Sequence, residues 1–321
     1  MAGYSATSGG AVNAFVFTPG SGIVDLGTLS GNLSQATGIN ASGRVSGYSS
    51  TAAGAEDAFL YTPGSGLSDL GTLGGAFSEA TGVNSSGQVS GYSAIAGGFS
   101  NAFVYTTAGG LANLGTLGGN SSQANAIDDA GQVVGAASLA GGDSVAFSYT
   151  SGSGMFSLGT LGGSSSQANA INDVAEIVGY SATPGGAQNA FLYTTATGMF
   201  DIGTLGGVSS DANAINDPGE IVGSSQTAGG MQAAFLYYSG IMIDLNSVLP
   251  PGSGWVLQDA LGINDAGEIV GYGTNPSGQT DGFILDGVDP PQAPEPSSFA
   301  MFSGASALLA LRYRAATAKE R

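Results

Sequence analysis

The chemistry this chain can offer rests on carboxylates and a single indole, because it contains no histidine and no cysteine. That removes imidazole and thiolate metal ligands, disulfides, and every nucleophile system built on Ser-His-Asp or Cys-His. One set of acids recurs in phase: Asp128 and Asp129, Asp173, Asp217 and Asp265. Calcium needs about six to eight oxygens, so Asp129, Asp173, Asp217 and Asp265 are the candidates for such a site. Their spacing matches no EF-hand loop, and Asp and Asn in turns ordinarily bond the local backbone; no metal or other cofactor is expected. A second set of acids differs between repeats: Glu56, Glu79, Asp143, Asp211 and Asp259. Glycoside hydrolysis requires two such groups about 5–9 Å apart. Nothing in the sequence pairs them, and no enzyme is expected. Trp255, the lone tryptophan, is a possible ligand contact through stacking, but its apolar neighbours Val256 and Leu257 favour a core plug.

These residues hang on a repeat. "LGTLGG" stands at 70–75, 114–119 and 158–163, with "IGTLGG" at 202–207 and "LGTLSG" at 26–31, each 44 residues from the next. Every unit holds four short apolar segments; in the fourth copy they are "ANAIN" (168–172), "EIVGYSA" (176–182), "NAFLYT" (189–194) and "GMFDIGTL" (198–205). Turn signals separate them, including an Asn-x-x-Gly step in which glycine supplies a positive φ. Ala175 replaces that glycine in one unit. In the third segment both faces are apolar, with Phe191 and Tyr193 on one side and Ala190 and Leu192 on the other, so a sheet packed between two others is expected.

Four strands in 40–50 residues is the period of a propeller blade. The second and third segments occur seven times, the first and fourth six times. The expected fold is therefore all-β: a seven-bladed β-propeller of 44-residue repeats over 1–288, followed by a short C-terminal helix. An open β-solenoid is the alternative. Residues common to all repeats are expected to be structural, which places function where one repeat departs from the rest.

Charge narrows the partners. Before residue 312 Arg44 alone faces 22 carboxylates. Binding a phosphate backbone needs clustered Lys and Arg, so nucleic acid is excluded, as is an anionic membrane surface for the body of the chain.

The unit "ANAINDxGEIVGYS…NAFLYT…DIGTLGG" resembles the HAF repeat of bacterial extracellular proteins, and "IDLNSVLPPGSGW" at 243–255 followed by "GINDAGEIVGYG" at 262–273 resembles the terminal unit of such arrays. The His of that family's triplet is replaced here by Asn13, Asp57, Asn101, Val145, Asn189, Ala233 and Asp281. The end of the chain, "PEPSSFAMFSGASALLALRYRAATAKER", resembles a PEP-CTERM sorting signal. Three parts follow from that resemblance: a Pro-rich linker at 289–298 carrying Pro294, Glu295 and Pro296, an apolar segment at 299–311, and a basic tail at 312–321. The resemblance implies processing by an exosortase-type enzyme, with Arg312 and Arg314 as the cytoplasmic stop, in line with the retention of positive charge inside. The apolar segment is 13 residues, about 20 Å of helix against a ~30 Å hydrocarbon core, which suits a transient anchor.

Taken together, the expected protein is a non-enzymatic, exported scaffold or adhesion module of the cell surface or extracellular matrix. It touches the membrane only through its C-terminal segment and has extracellular polysaccharide as a further candidate partner. A carbohydrate- or calcium-binding lectin-like propeller is the alternative. "MAGYSATSGG" carries no export signal and begins in mid-repeat, so a truncated start is expected, with blade one lacking its first strand.

Overall fold

A computed structural model describes residues 1–18 and 20–286. The linker, apolar segment, basic tail and short helix expected beyond them, with Pro294, Glu295, Pro296, Arg312 and Arg314, lie outside the described residues. Among the described residues the fold is all-β, with one 3-10 turn at Leu245–Val248 and no helix long and apolar enough to cross a membrane.

The chain forms two compact units, Met1–Ile177 and Val178 onward. The first opens with a three-stranded antiparallel sheet, β1 (Ala2–Ala6), β2 (Val12–Thr18) and β3 (Gly22–Gly27). Three four-stranded antiparallel meanders follow. They are β4 (Ser30–Ile39), β5 (Val45–Thr51), β6 (Glu56–Thr62) and β7 (Gly66–Gly71); β8 (Gly74–Val83), β9 (Val89–Ile95), β10 (Ser100–Thr106) and β11 (Gly110–Asn113); and β12 (Gly118–Ile127), β13 (Val133–Leu139), β14 (Ser144–Thr150) and β15 (Gly154–Gly159). β16 (Ser166–Ile171) is the last strand of this unit. The second unit begins within β17 (Ile177–Ala182), which precedes β18 (Gln188–Thr194) and β19 (Gly198–Gly203). It continues with β20 (Gly206–Ile215), β21 (Ile221–Thr227), β22 (Gln232–Tyr238) and β23 (Ile241–Asp244), and ends with β24 (Val256–Ile263), β25 (Ile269–Thr274) and β26 (Thr280–Leu285).

The repeated residues explain why each sheet forms. The "GYS" glycine pairs with the "AF" phenylalanine, as in Gly91↔Phe103 and Gly47↔Phe59. A Cβ on Gly91 would sit 2.1 Å from the Glu79 carbonyl oxygen and 2.6 Å from the Phe103 ring; only glycine lets the ring lie over the strand. Phe59, Phe103 and Phe147 in the first unit, and Phe191 and Phe235 in the second, are fully buried. The preceding alanine is also fully buried at Ala58, Ala102, Ala146, Ala190 and Ala234. Both faces of the third strand are therefore core, as its composition implies.

"LGTLGG" carries the chain from the last strand of one sheet to the first strand of the next. Its first Leu is buried, as at Leu70 and Leu114. Gly71 takes φ +73, the Thr72 hydroxyl donates to the Gly75 carbonyl at 3.1 Å, and Leu73 makes a parallel bridge to Ile95. A buried serine then locks the junction. Ser78 Oγ accepts from the Ala58 amide at 2.8 Å and donates to the Gly71 carbonyl at 2.6 Å. Ser34, Ser122 and Ser166 repeat this bond pair, as does Ser210 in the second unit. Inner strands of successive sheets are stitched in the same periodic way. Thr37 donates to the Ala80 carbonyl, Thr81 to that of Ala124, and Asn125 to that of Ala168; in the second unit Asn213 donates to the Ala260 carbonyl.

Candidate binding site

The recurring turn acids are structural clamps. Asp129 Oδ1 accepts the Ser85 amide at 2.8 Å, Asp173 Oδ1 the Asp129 amide at 2.9 Å, and Asp265 Oδ1 the Asp217 amide at 3.0 Å. Each carboxylate thus receives a backbone N–H from the turn one repeat earlier. Among the described residues no group of three acids lies close enough to hold a metal ion. Ala175, in the same set of turns, adopts φ +64, the left-handed conformation its glycine counterparts take. Trp255 is half-buried and packs against the apolar cluster of Leu245, Leu257 and Ala260.

The acids that vary between repeats have a different use. Glu79, Asp211 and Asp259 occupy one position of the inner strand, opposite the residue that follows the "GYS" glycine: Glu79↔Tyr92, Asp211↔Ser224 and Asp259↔Tyr272. Glu79 bonds the Tyr92 hydroxyl, and the Tyr92 phenol is held well above its ordinary range, by burial first and then by that bond. Tyr48, on the preceding sheet, is raised by burial and then by the same Glu79. In the second unit burial raises Asp259, opposed by hydrogen bonds from Asn213, Ser224 and Tyr272, and Tyr180 is raised by burial and then by Asp211. These carboxylates are partners of phenols and amides.

Two acids have a resolved shift to which a second acid contributes: Asp57 is raised by burial first and by Asp69 second, and Asp128 is raised by burial first, with Asp173 a lesser cause. Asp57 stands at the position at which other repeats place Asn. Asn13 donates to Asp25 at 2.9 Å, Asn101 to Asn113 at 3.0 Å, and Asn189 to Asp201 at 2.8 Å.

Two repeats break the phenol row. The residue after the "GYS" glycine is Tyr4, Tyr48, Tyr92, Ala136, Tyr180, Ser224 and Tyr272 along the chain. Ser224 is buried and bonds Asp259, so its place is filled. At Ala136 the phenol is missing, and its partner on the first strand of the sheet is the amide Gln123, just as Gln35 is the partner of Tyr48. A cavity of about 310 Å³ results, lined by Tyr92, Ser100, Gln123, Ala136, Ser144 and Gln167, with Ser121 and Ser122 at its edge. That is near the lower bound of ligand pockets, ~300–1,000 Å³.

One wall is rigid: the Tyr92 ring meets Phe77 edge-on, with centroids 6.2 Å apart at 78°, while Glu79 holds its hydroxyl. Ser122 is consumed by the Ala102 and Gly115 backbone, and Gln167 Nε2 donates to Asn169 at 3.0 Å. Gln123, Ser100 and Ser144 present amide and hydroxyl groups to the opening. These groups both donate and accept, and no lining side chain is ionised. Comparing residues between repeats at this one phase would have found Ala136; the composition of the repeat alone does not reveal it.

No protein-family model and no curated protein matches the chain. Among solved structures it is similar to AofleA from Arthrobotrys oligospora, at 10% identity over 75% of this chain and 81% of that one, with a TM-score of 0.39. It is also similar to the BP39L lectin from Burkholderia pseudomallei, at 8% identity over 88% and 91%, with a TM-score of 0.45.

Proposed function

We propose that this protein is a non-catalytic carbohydrate-binding repeat protein whose site is the gap at Ala136. The observation that carries the reading is the replacement of a phenol by a methyl group in one repeat, which opens an uncharged cavity beside a fixed aromatic ring. A sugar has the matching chemistry: its C–H face stacks on an aromatic body, and its hydroxyls pair with amides and serines. A catalytic reading has less support, because no carboxylate lines the cavity and Glu79 is engaged by Tyr92, whereas glycoside hydrolysis uses two acids. A glycan array probed with the wild-type chain and with Ala136→Tyr tests the proposal. Binding by the wild type and its loss in the variant is the expected pair of results; an unchanged pattern would contradict it.

The seven copies of the second and third strands, counted on the described residues, support a seven-bladed propeller as the arrangement of the repeats. For location, the proposal follows the C-terminal sequence: Pro294-Glu295-Pro296 and the basic tail support export, exosortase-type processing and display at the cell surface or in the matrix, where a polysaccharide ligand would be met. Cell fractionation of wild-type protein and a Pro294→Ala, Pro296→Ala double variant tests this, with retention of the variant in the membrane fraction expected.

A further inference from the structure

The polarity of the gap specifies its ligand more narrowly than carbohydrate. Resting on the reading above, we infer that the Ala136 gap takes one neutral sugar residue per chain and rejects sugars bearing a carboxylate or sulfate. Three observations combine. First, the lining holds no cation, and Arg44, the one basic side chain among the described residues, is committed to the Ser86 carbonyl at 2.8 Å. An anionic sugar entering the gap would lose hydration with no counter-charge to replace it.

Second, the wall on which a ring would stack already carries an acid. Glu79 bonds the hydroxyl of Tyr92, so a uronate seated on that phenol would face a like charge across one side chain. The neutral amide of Gln123 stands opposite Ala136, at the position that holds Gln35 opposite Tyr48, Glu79 opposite Tyr92 and Asp259 opposite Tyr272. The repeat that lacks the ring therefore faces the gap with an amide and adds no carboxylate of its own.

Third, among the described residues this row offers one place with neither a phenol nor a serine bonded to an acid. Tyr4, Tyr48, Tyr92, Tyr180 and Tyr272 carry the phenol, and Ser224 in the second unit is spent on Asp259. One such place implies one site, unlike an array in which every repeat binds. The ring that stacks on Tyr92 is met by Gln123 and by the Ser100 and Ser144 hydroxyls, an arrangement suited to a hydroxyl-rich ring lacking acidic groups.

The test uses the full chain, with methyl glycosides of neutral hexoses and deoxyhexoses set against glucuronic and galacturonic acid methyl glycosides. Saturation-transfer NMR and calorimetry are run at about 20 mM and about 0.5 M NaCl, which spans strong and weak screening. At least one neutral glycoside should bind with a stoichiometry of one. The uronates should bind at least about tenfold more weakly at both salt concentrations, since desolvation of the charge is not screened away.

Ala136→Tyr, which restores the residue of the other repeats, should abolish the binding, and Ser224→Tyr should leave it. Tyr92→Phe, which keeps the ring and removes the Glu79 bond, should retain stacking where Tyr92→Ala does not. Equal affinity for uronates, or more than one site, would overturn this inference while leaving a carbohydrate-binding protein. Absence of saturation transfer from any glycoside to the folded wild type would overturn the functional reading itself.

Discussion

At the scale of single residues, departures from the repeat mark where stability or function changes. Ala175 holds φ +64 in a turn that other repeats close with glycine. Ala175→Gly removes the strain, and a gain of roughly 0.5–1 kcal/mol in chemical denaturation is expected. Asp57 is a second departure: its Oδ1 is buried without a hydrogen-bond partner, and burial together with Asp69 raises its pKa. A carboxyl raised in the fold binds its proton more tightly folded than unfolded. Its favourable contribution is therefore complete below the unfolded value of about 3.9 and is lost as pH rises through the folded value. Asp57→Asn recreates the amide-to-acid bond seen at Asn13 and Asn189. The variant should be more stable than wild type by roughly 0.5–1.5 kcal/mol at pH 7. That advantage should shrink toward pH 3; an advantage that grew on acidification would refute the assignment.

Elements are held to one another by groups of ordinary identity in special positions. Ser78 satisfies a buried amide and a carbonyl at the junction between two sheets. Ser78→Ala leaves both unpaired and should cost about 1–3 kcal/mol, measurable as a lowered denaturation midpoint with an unchanged m-value. The strand phase is legible in the sequence, because glycine opposite phenylalanine and alternation on both faces have few structural solutions; the four segments named in the fourth repeat coincide with β16 to β19. The serine clamp is not legible in the same way, since serine is unremarkable in a polar-edged strand and only the fold brings its hydroxyl to an amide 20 residues away. The turn acids illustrate the same limit. Their recurrence is visible in the sequence, but their partner, a backbone N–H 44 or 48 residues earlier, becomes visible only when repeats stack. Ser30, the odd residue of "LGTLSG", takes φ +80 where Gly74 takes +94, a strained position that turn chemistry alone did not single out.

For the whole molecule, the repeat is the scaffold and the departure at Ala136 is the proposed site. The principle that function lies where one repeat differs was available from the sequence, but the residue was not: attention falls on acids and on Trp255, whereas Ala136 acts by what it omits. The carboxylates of Asp129, Asp173 and Asp265 each accept a backbone amide, so the melting temperature should be the same in EDTA and in millimolar calcium. A calcium-dependent rise would return Asp129, Asp173, Asp217 and Asp265 to consideration as ligands.

The most direct measurement is a titration of the labelled chain with a neutral methyl glycoside, followed by backbone and side-chain amide NMR. The account predicts shift changes confined to Tyr92, Ser100, Gln123, Ala136, Ser144 and their immediate neighbours. Changes spread over the equivalent positions of all repeats, or centred on Trp255, would contradict it.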